Sequence, residues 1–350
     1  MHDFTSTILK WFAREGRMLP WRETRDPYLI WVSEVILQQT QVRQGIDYYH
    51  RFVARFPTFS ALANADEDEV LRLWQGLGYY SRARNMLAAA QQMEAMGRFP
   101  ESYEQIRSLR GVGDYIAAAV ASFAFDAPYA VVDGNVYRVL SRVFGIDSPI
   151  DTSRGQREFR ALAQELLPPR QAARYNQAIM DFGALQCSPH SPDCAACPME
   201  ATCVARAEGR VGDLPFKRRR TRVHDRYFTY LYFRRPDAHV LLQRRGGGDI
   251  WEGLYQFPLI ESSAPLSPSA VSQQAPQGRL TCVASDLTHQ LTHQRLHAAC
   301  YVVELPSEND VSAPGQWVAE DSLDDYALPR LLERLLEKIR TMFGADGKKI

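Results

Sequence analysis

The stretch Ser108 to Arg142, SLRGVGDYIAAAVASFAFDAPYAVVDGNVYRVLSR, decides how the rest of the chain is read. Leu109-Arg110-Gly111-Val112-Gly113 lies between a short apolar helix and the alanine-rich run Tyr115 to Phe125, so two helices meet at a turn holding two glycines. Glycine at 111 and 113 tolerates positive φ and lets backbone approach a ligand closely. The free N–H groups that open the second helix favour an anion such as a phosphate. Taken alone, the G-x-G turn fits an ordinary helical hairpin equally well. Further on, Val131-Val132-Asp133-Gly134-Asn135 leads into the helical pattern Val136, Val139, Leu140, Val143. Asp133 is therefore placed at a helix start, either as a simple N-cap or as a carboxylate in a tight, partly desolvated entry.

The 350-residue length points to two domains, and 45% hydrophobic residues suffice for real cores. With 23% charged residues and a net charge near zero, the chain is no disordered tail, yet local basic patches remain open to it. MHDFTSTILKWF lacks the pattern of a signal peptide and no apolar run is long enough for a bilayer, so a soluble, cytoplasmic protein without membrane contact is expected.

In chain order, apolar spacing predicts a helix over Thr5 to Glu15 and a second over Tyr28 to Gln41. The second places Trp31, Glu34, Gln38 and Gln41 on one face. Glu34 is then either a solvated surface carboxylate or, if it faces a pocket, an acid kept protonated by burial. Further helices are predicted at 46–55, 59–64, 67–74, 81–96, 157–167 and 171–185. Gly76-Leu77-Gly78-Tyr79-Tyr80, followed by Arg82 and Arg84, is either a packed corner or an aromatic platform for bases.

Cys187, Cys194, Cys197 and Cys203 are separated by six, two and five residues. In a cytosolic chain this clustering argues for metal rather than disulfides. Four thiolates suit a tetrahedral zinc or a four-iron, four-sulfur cluster, and the spacing alone leans towards zinc. From Arg206 to Arg226 a basic connector includes Lys217-Arg218-Arg219-Arg220 and Arg222. Beyond it, strands are predicted at 227–233, 240–243, 253–257 and 297–303, with a proline- and serine-rich loop near 262–277 and a closing helix over 328–342. Cys282 and Cys300 are expected to be small buried thiols there.

Ser33-Glu34-Val35-Ile36-Leu37-Gln38-Gln39-Thr40-Gln41-Val42, the 76–80 loop, the hairpin, Asp133-Gly134-Asn135, the four cysteines and Trp251-Glu252-Gly253-Leu254-Tyr255-Gln256-Phe257-Pro258 together resemble the MutY adenine DNA glycosylase family over nearly the whole chain. That resemblance implies a multidomain protein: an all-α helix-hairpin-helix glycosylase domain over 1–205 with a cluster loop at 187–203, a basic linker over 206–225, and an α+β Nudix-like domain over 226–350. It implies one 4Fe-4S cluster on the four cysteines, in place of zinc, with a structural and DNA-positioning role.

The same resemblance implies removal of adenine from double-stranded DNA opposite 8-oxoguanine or guanine, by a monomer associated with the bacterial nucleoid. Glu34 would protonate adenine at N7, Asp133 would stabilise the electron-poor sugar, and Tyr115 and Asn135 would line that site. Trp21, Arg22 and Asp181 would border the adenine pocket. Gln39, Thr40, Leu77 and Tyr79 would lie beside the lesion, Gly111 and Gly113 would hold phosphate, and Thr292 and His293 would contact 8-oxoguanine.

Tyrosine at 115 cannot form the Schiff base that relatives with a lysine there use for strand cleavage, so monofunctional action is expected. The Nudix-like part lacks the G-x5-E-x7-R-E-x-x-E-E helix, which argues against nucleotide hydrolysis. The family's Phe-Ser-His loop is matched by Leu291-Thr292-His293, so the hydroxyl and imidazole remain while the aromatic is lost. A glycosylase for thymine or a damaged base, and a non-enzymatic DNA-binding protein, are the competing readings.

Overall fold

The structure is a computed structural model that describes residues 2–218, 223–274, 278–307 and 313–343; Arg219, Arg220 and Arg222 of the basic connector lie outside them. The chain divides into two compact units, 1–64 with 85–220 and 65–84 with 221–350. No helix among the described residues is long and apolar enough to cross a membrane.

The first unit is helical. Its helices are α1 (His2–Glu15), α2 (Pro27–Leu37), α3 (Val42–Arg55), α4 (Phe59–Ala63), most of α6 (Ser81–Met96), α7 (Tyr103–Arg107), α8 (Asp114–Phe125), α9 (Gly134–Phe144), α10 (Ser153–Leu166), α11 (Ala172–Asp181) and the short α12 (Val204–Ala207). The second unit begins with α5 (Glu67–Leu73) and the first turn of α6.

Two helices are apolar nearly all round and are therefore buried. Asp26 caps α2 by accepting from the N–H groups of Tyr28 and Leu29, and Pro27 supplies a preset φ at its first position. Along α2, Tyr28 and Ile30 to Ile36 are buried, so a carboxylate at 34 is largely withdrawn from bulk water. Burying each such large apolar side chain contributes roughly 1.5–3 kcal/mol, which is what holds a polar passenger inside. In α8 every residue from Ile116 to Phe123 is buried, and its alanines leave room for α2 to pack against it. A second core gathers α1, α9, α10 and α11 around Phe4, Ile8, Val136, Leu140, Phe159 and Phe182.

Helix α2 ends at Leu37, four residues before the expected end. The run Gln38-Gln39-Thr40-Gln41 has no apolar residue to bury, Gln39 adopts φ 61, and Gln41 becomes the N-cap of α3. Gln38 and Gln41 therefore do not continue Glu34's face. The expected 171–185 helix likewise divides into α11 and a π-helical turn over Phe182–Gln186.

In the second unit, β1 (His224–Arg234) is central. It pairs with β2 (His239–Arg244) and β4 (Leu259–Ser262) antiparallel, and with β6 (Gln294–Glu304) in parallel. The two-residue β3 (Tyr255–Gln256) and β7 (Gln316–Ala319) pair with β2, and β5 (Arg279–Gln290) closes the far edge on β6. Phe228, Tyr230 and Tyr232 face the closing helix α14 (Arg330–Phe343), whereas Leu231 and Phe233 face Val271 of α13 (Pro268–Gln274). Both faces are covered, so β1 reads as a continuous apolar run. The mixed sheet with helices on its faces is the expected α+β layout.

Strand β5 was absent from the sequence expectations. Its register shifts twice, between Cys282 and Ala284 and between Ala284 and Leu287, which breaks the alternation that would mark it. The same irregular edge leaves Cys282 exposed, correcting the expectation of burial; Cys300, on β6, is buried. The 262–277 stretch, expected as loop, carries α13.

Candidate functional site

In the first unit, Trp21, Arg22, Glu34, Thr40, Tyr115, Asp133 and Asn135 all line one pocket of about 150 Å³. Glu34 is only 4% exposed, and the Tyr115 hydroxyl donates to its Oε2 at 2.7 Å. Burial pushes the Glu34 carboxyl up to about 7; the negative charge of Asp133 adds to this, while the Tyr115 hydrogen bond and Arg22 oppose it.

Asp133 is the N-cap of α9, its Oδ1 accepting from the Val136 N–H at 2.8 Å and its Oδ2 from Asn135 Nδ2 at 2.7 Å. Its two sequence readings are therefore both satisfied: it caps the helix and lines the pocket. Burial raises its pKa, with the Val136 and Asn135 hydrogen bonds pulling the other way.

Asp181 does not line this pocket. It is fully buried beneath it and accepts from Arg22 Nη1 at 2.8 Å and Nη2 at 2.9 Å, and from the Arg17 N–H at 2.9 Å and Nε at 3.0 Å. Burial pushes its pKa up, and these arginine hydrogen bonds overcome that and hold the carboxyl below its usual value. Trp21 is fixed edge-on against Tyr49, with centroids 5.3 Å apart. Arg17, Gln177 and Met180 also line the pocket and were missed by the sequence reading. Gln177 lies one helical turn before Asp181, and that i, i+4 spacing could have pointed to it.

Behind Asn135 a buried guanidinium links the pocket to the cysteine loop. Arg138 Nη2 donates to Asn135 Oδ1 at 2.7 Å, and its Nε donates to the Cys187 carbonyl at 2.7 Å. Cys187, Cys194, Cys197 and Cys203 line one cavity, each half-buried. Arg142 Nη1 lies 3.5 Å from Cys187 Sγ and donates to the Ser188 carbonyl at 2.8 Å. Among the described residues, no three His, Cys, Asp or Glu side chains are set to hold a metal ion.

At the hairpin, Gly111 takes φ 75, and a Cβ there would lie 2.6 Å from Asn85 Cβ. Gly113 differs from expectation: as N-cap of α8 it is extended, at φ −95, with open space around it. The Arg110 N–H donates to Gln92 Oε1 at 2.7 Å, and Asp114, opening α8, pairs with Arg107 and Arg160.

In the second unit, Leu77, Tyr79, Thr292 and His293 line another pocket, of about 550 Å³. Leu291 to Gln294 form the tip of the β5–β6 hairpin, closed by the Leu291 N–H donating to the Gln294 carbonyl at 2.8 Å. Gln290 Nε2 braces the tip by donating to the Leu291 carbonyl at 2.6 Å. The Tyr79 and Thr292 hydroxyls are hydrogen-bonded to each other. His289, missed in the sequence, lies against Trp251 with centroids 5.9 Å apart, and Arg84 pairs with Glu252 at 3.1 Å. Gln39 is exposed in the first unit and lines neither pocket.

Residues 32–169 match the family model of the HhH-GPD superfamily of base excision DNA repair proteins, and 229–338 match that of the NUDIX domain. The chain is thus of the helix-hairpin-helix repair class with a Nudix-like second part. It is 32% identical to the adenine DNA glycosylase of Buchnera aphidicola (subsp. Baizongia pistaciae), with 84% of each chain covered. Against the human adenine DNA glycosylase it is 31% identical, covering 95% of this chain and 73% of the human one. A solved thermostable thymine-DNA glycosylase superposes with a TM-score of 0.55 and 31% identity, over 59% of this chain and 96% of that one. The chain belongs to the adenine DNA glycosylase family, enzymes that hydrolyse N-glycosyl bonds.

Proposed function

We propose that this enzyme removes adenine mispaired with 8-oxoguanine, or with guanine, from double-stranded DNA, by hydrolysis without strand cleavage. The observation that carries the reading is Glu34, raised to about 7 and hydrogen-bonded to Tyr115, in the same pocket as Asp133. Adenine is a poor leaving group until protonated, and the sugar it leaves is electron-poor. One carboxyl must therefore hold a proton near neutral pH while the other is an anion, as in O-glycoside cleavage.

The flipped base enters the pocket beside Trp21 and Arg22, the latter held in place by its ion pair with Asp181. Glu34 gives its proton to adenine N7. Asp133, oriented by the Val136 N–H and Asn135, stabilises the oxocarbenium-like sugar until water adds. General acid help of about 10²- to 10⁴-fold corresponds to roughly 3–5 kcal/mol of barrier. Unstacking the base costs a few kcal/mol, which binding must supply.

Gly111 and Gly113 present backbone N–H groups to a phosphate. Leu77, Tyr79, Thr292 and His293 read the 8-oxoguanine side, with Gln39 and Thr40 adjoining the lesion. Residues 1–205 act as the glycosylase domain, 206–225 as linker and 226–350 as lesion reader, working as a monomer on nucleoid DNA. Cys187, Cys194, Cys197 and Cys203 line one cavity, and four thiolates there would hold a 4Fe-4S cluster, as the family resemblance implies. When bound, the cluster ties the 187–203 loop together, and Arg138 joins that loop to Asn135.

The test is base release from duplexes carrying A opposite 8-oxoguanine, A opposite G, T opposite G and A opposite T, with and without alkali. Adenine loss, strongest opposite 8-oxoguanine and with breaks mainly after alkali, is expected. Thymine release would move the activity towards that of the superposed thymine-DNA glycosylase. Borohydride trapping of a native lysine on DNA, with efficient strand cleavage, would overturn monofunctional action.

A further inference from the structure

We infer that Arg82 and Trp74 are positioning residues that hold the Leu77–Tyr79 loop preformed for the strand opposite the excised base. This rests on the lesion-reading role proposed above for Leu77 and Tyr79.

The loop has a conformation it would not keep unaided. Gly76 has φ 93, Gly78 has φ 72, and Tyr79, an L-residue with a bulky side chain, has φ 48. Non-glycine residues in the left-handed region persist only where surrounding contacts over-determine them, and such residues gather at ligand clamps. Tyr79 is also 46% exposed, one of few large apolar side chains left open to water among the described residues. An exposed aromatic on a strained backbone is a costly arrangement unless something docks on it.

The contacts that fix it come from below. Arg82 Nη2 donates to the Gly78 carbonyl at 3.1 Å and to the Leu77 carbonyl at 3.4 Å. Trp74 Nε1 donates to the same Gly78 carbonyl at 3.1 Å, and the Gly76 N–H donates to the Tyr80 hydroxyl at 3.3 Å. The Arg82 guanidinium carbon lies 5.2 Å from the Trp74 ring centroid and 5.6 Å from that of Tyr79. One planar cation thus grips two carbonyls of the loop and lies against the ring of the third residue. Burial lowers its pKa to about 10, against the pull of Tyr79, so the cation has been drawn out of water to make these contacts. A lysine, with a point charge and no fork, cannot make them all.

The experiment compares wild type, Arg82→Met, Arg82→Lys, Trp74→Phe, Tyr79→Ala and Arg82→Met/Tyr79→Ala on A opposite 8-oxoguanine and A opposite G, with thermal unfolding measured alongside. Loss of the fork and cation–π contacts is expected to lower kcat/KM opposite 8-oxoguanine by about tenfold in Arg82→Met, with a smaller loss opposite G. Arg82→Lys should recover only part. Trp74→Phe, which keeps an aromatic face but deletes the Nε1 donor, should show a weaker form of the same bias, so the inference stays testable if Arg82→Met unfolds. The double variant should be no worse than Tyr79→Ala, because both act through one loop. Equal losses on both substrates, additive with Tyr79→Ala, would overturn the inference and leave Arg82 a stability residue. If wild type shows no preference for 8-oxoguanine, the lesion-reading proposal fails; non-additivity of Arg82 and Tyr79 opposite G then still judges the clamp.

Discussion

The Tyr115 hydroxyl sits 2.7 Å from Glu34 Oε2, and it donates to a carboxyl that burial has already raised to about 7. In the proposed mechanism, deprotonating Glu34 removes the general acid, so base release should fall as pH rises above about 7. On the acid side, Asp133 must be ionised, and its pKa is also raised, so activity should fall again at low pH. A bell-shaped kcat profile under single turnover checks this. Glu34→Gln should lower that rate by about 10²- to 10⁴-fold and abolish the alkaline limb. A fall of less than about tenfold, with that limb kept, would remove Glu34 from the acid role.

The same shift makes a prediction about stability. Folding favours the protonated form, so the contribution is fully present below the ordinary glutamate value of 4.5 and is lost as pH rises to about 7. The loss amounts to about 3 kcal/mol of stability for a shift of this size. Glu34→Gln carries no such charge. Its stability relative to wild type should therefore rise between those two pH values and level off above, as urea unfolding at several pH values would register. A flat difference would mean Glu34 is less desolvated than its burial implies.

Asp181 joins Arg17 and Arg22 at a site where the carboxylate is fully buried. Asp181→Asn leaves two guanidinium groups without their anion, and breaking a buried pair in this way costs roughly 3–5 kcal/mol. Arg22 should also lose its orientation, so KM for adenine-containing duplex should rise beyond what the lower melting temperature explains. Unchanged stability in Asp181→Asn would show the cluster to be better solvated than its geometry indicates.

That role of Asp181 was beyond the sequence, because its partners Arg22 and Arg17 are 159 and 164 positions away. Local patterns placed Glu34 inside an apolar helix and Asp133 before an apolar helical repeat, but left open whether either faces a pocket; only the family resemblance singled them out. Helix α6, at Ser81–Met96, fell where periodicity put it. The end of α2 did not, since polar glutamines have fair helix propensity, and the helix ends where Gln38, at ψ 112, and the left-handed Gln39 leave helical geometry. Strand β5 was hidden by its two register shifts, and Cys282 with it. Nothing local marked 65–84 as grouping with 221–350. That follows from pairs distant in sequence, such as Tyr255 donating to Asp68 Oδ2 at 2.8 Å and Arg244 pairing with Asp68 at 2.9 Å.

Thr292 touches Tyr79 through its hydroxyl, and His293 stands exposed beside it at the hairpin tip. Thr292→Val deletes the hydroxyl and keeps the shape. A hydrogen bond of this kind contributes about 1 kcal/mol net, so selectivity for A opposite 8-oxoguanine over A opposite G should fall by about fivefold. Thr292→Ala/His293→Ala should reduce it further. Undiminished selectivity in the double variant would take the tip out of lesion reading and leave Leu77 and Tyr79 to carry it.

Arg138 tests whether the cysteine loop matters to catalysis through position or through the proposed cluster. Its guanidinium donates to the Cys187 carbonyl and to Asn135 Oδ1, and Asn135 in turn donates to Asp133 Oδ2. Arg138→Met keeps all four cysteines but leaves buried carbonyls without donors, at roughly 1–3 kcal/mol each. The melting temperature should fall, and the single-turnover rate should fall with it, because Asn135 no longer holds Asp133 square to the pocket. Cys197→Ser removes a candidate ligand outright and should abolish bound iron and the visible absorption of a cluster. If Arg138→Met retains full iron and binds duplex normally yet releases adenine slowly, the loop acts on catalysis by holding Asp133. Full rate at full iron content would instead confine Arg138 to folding.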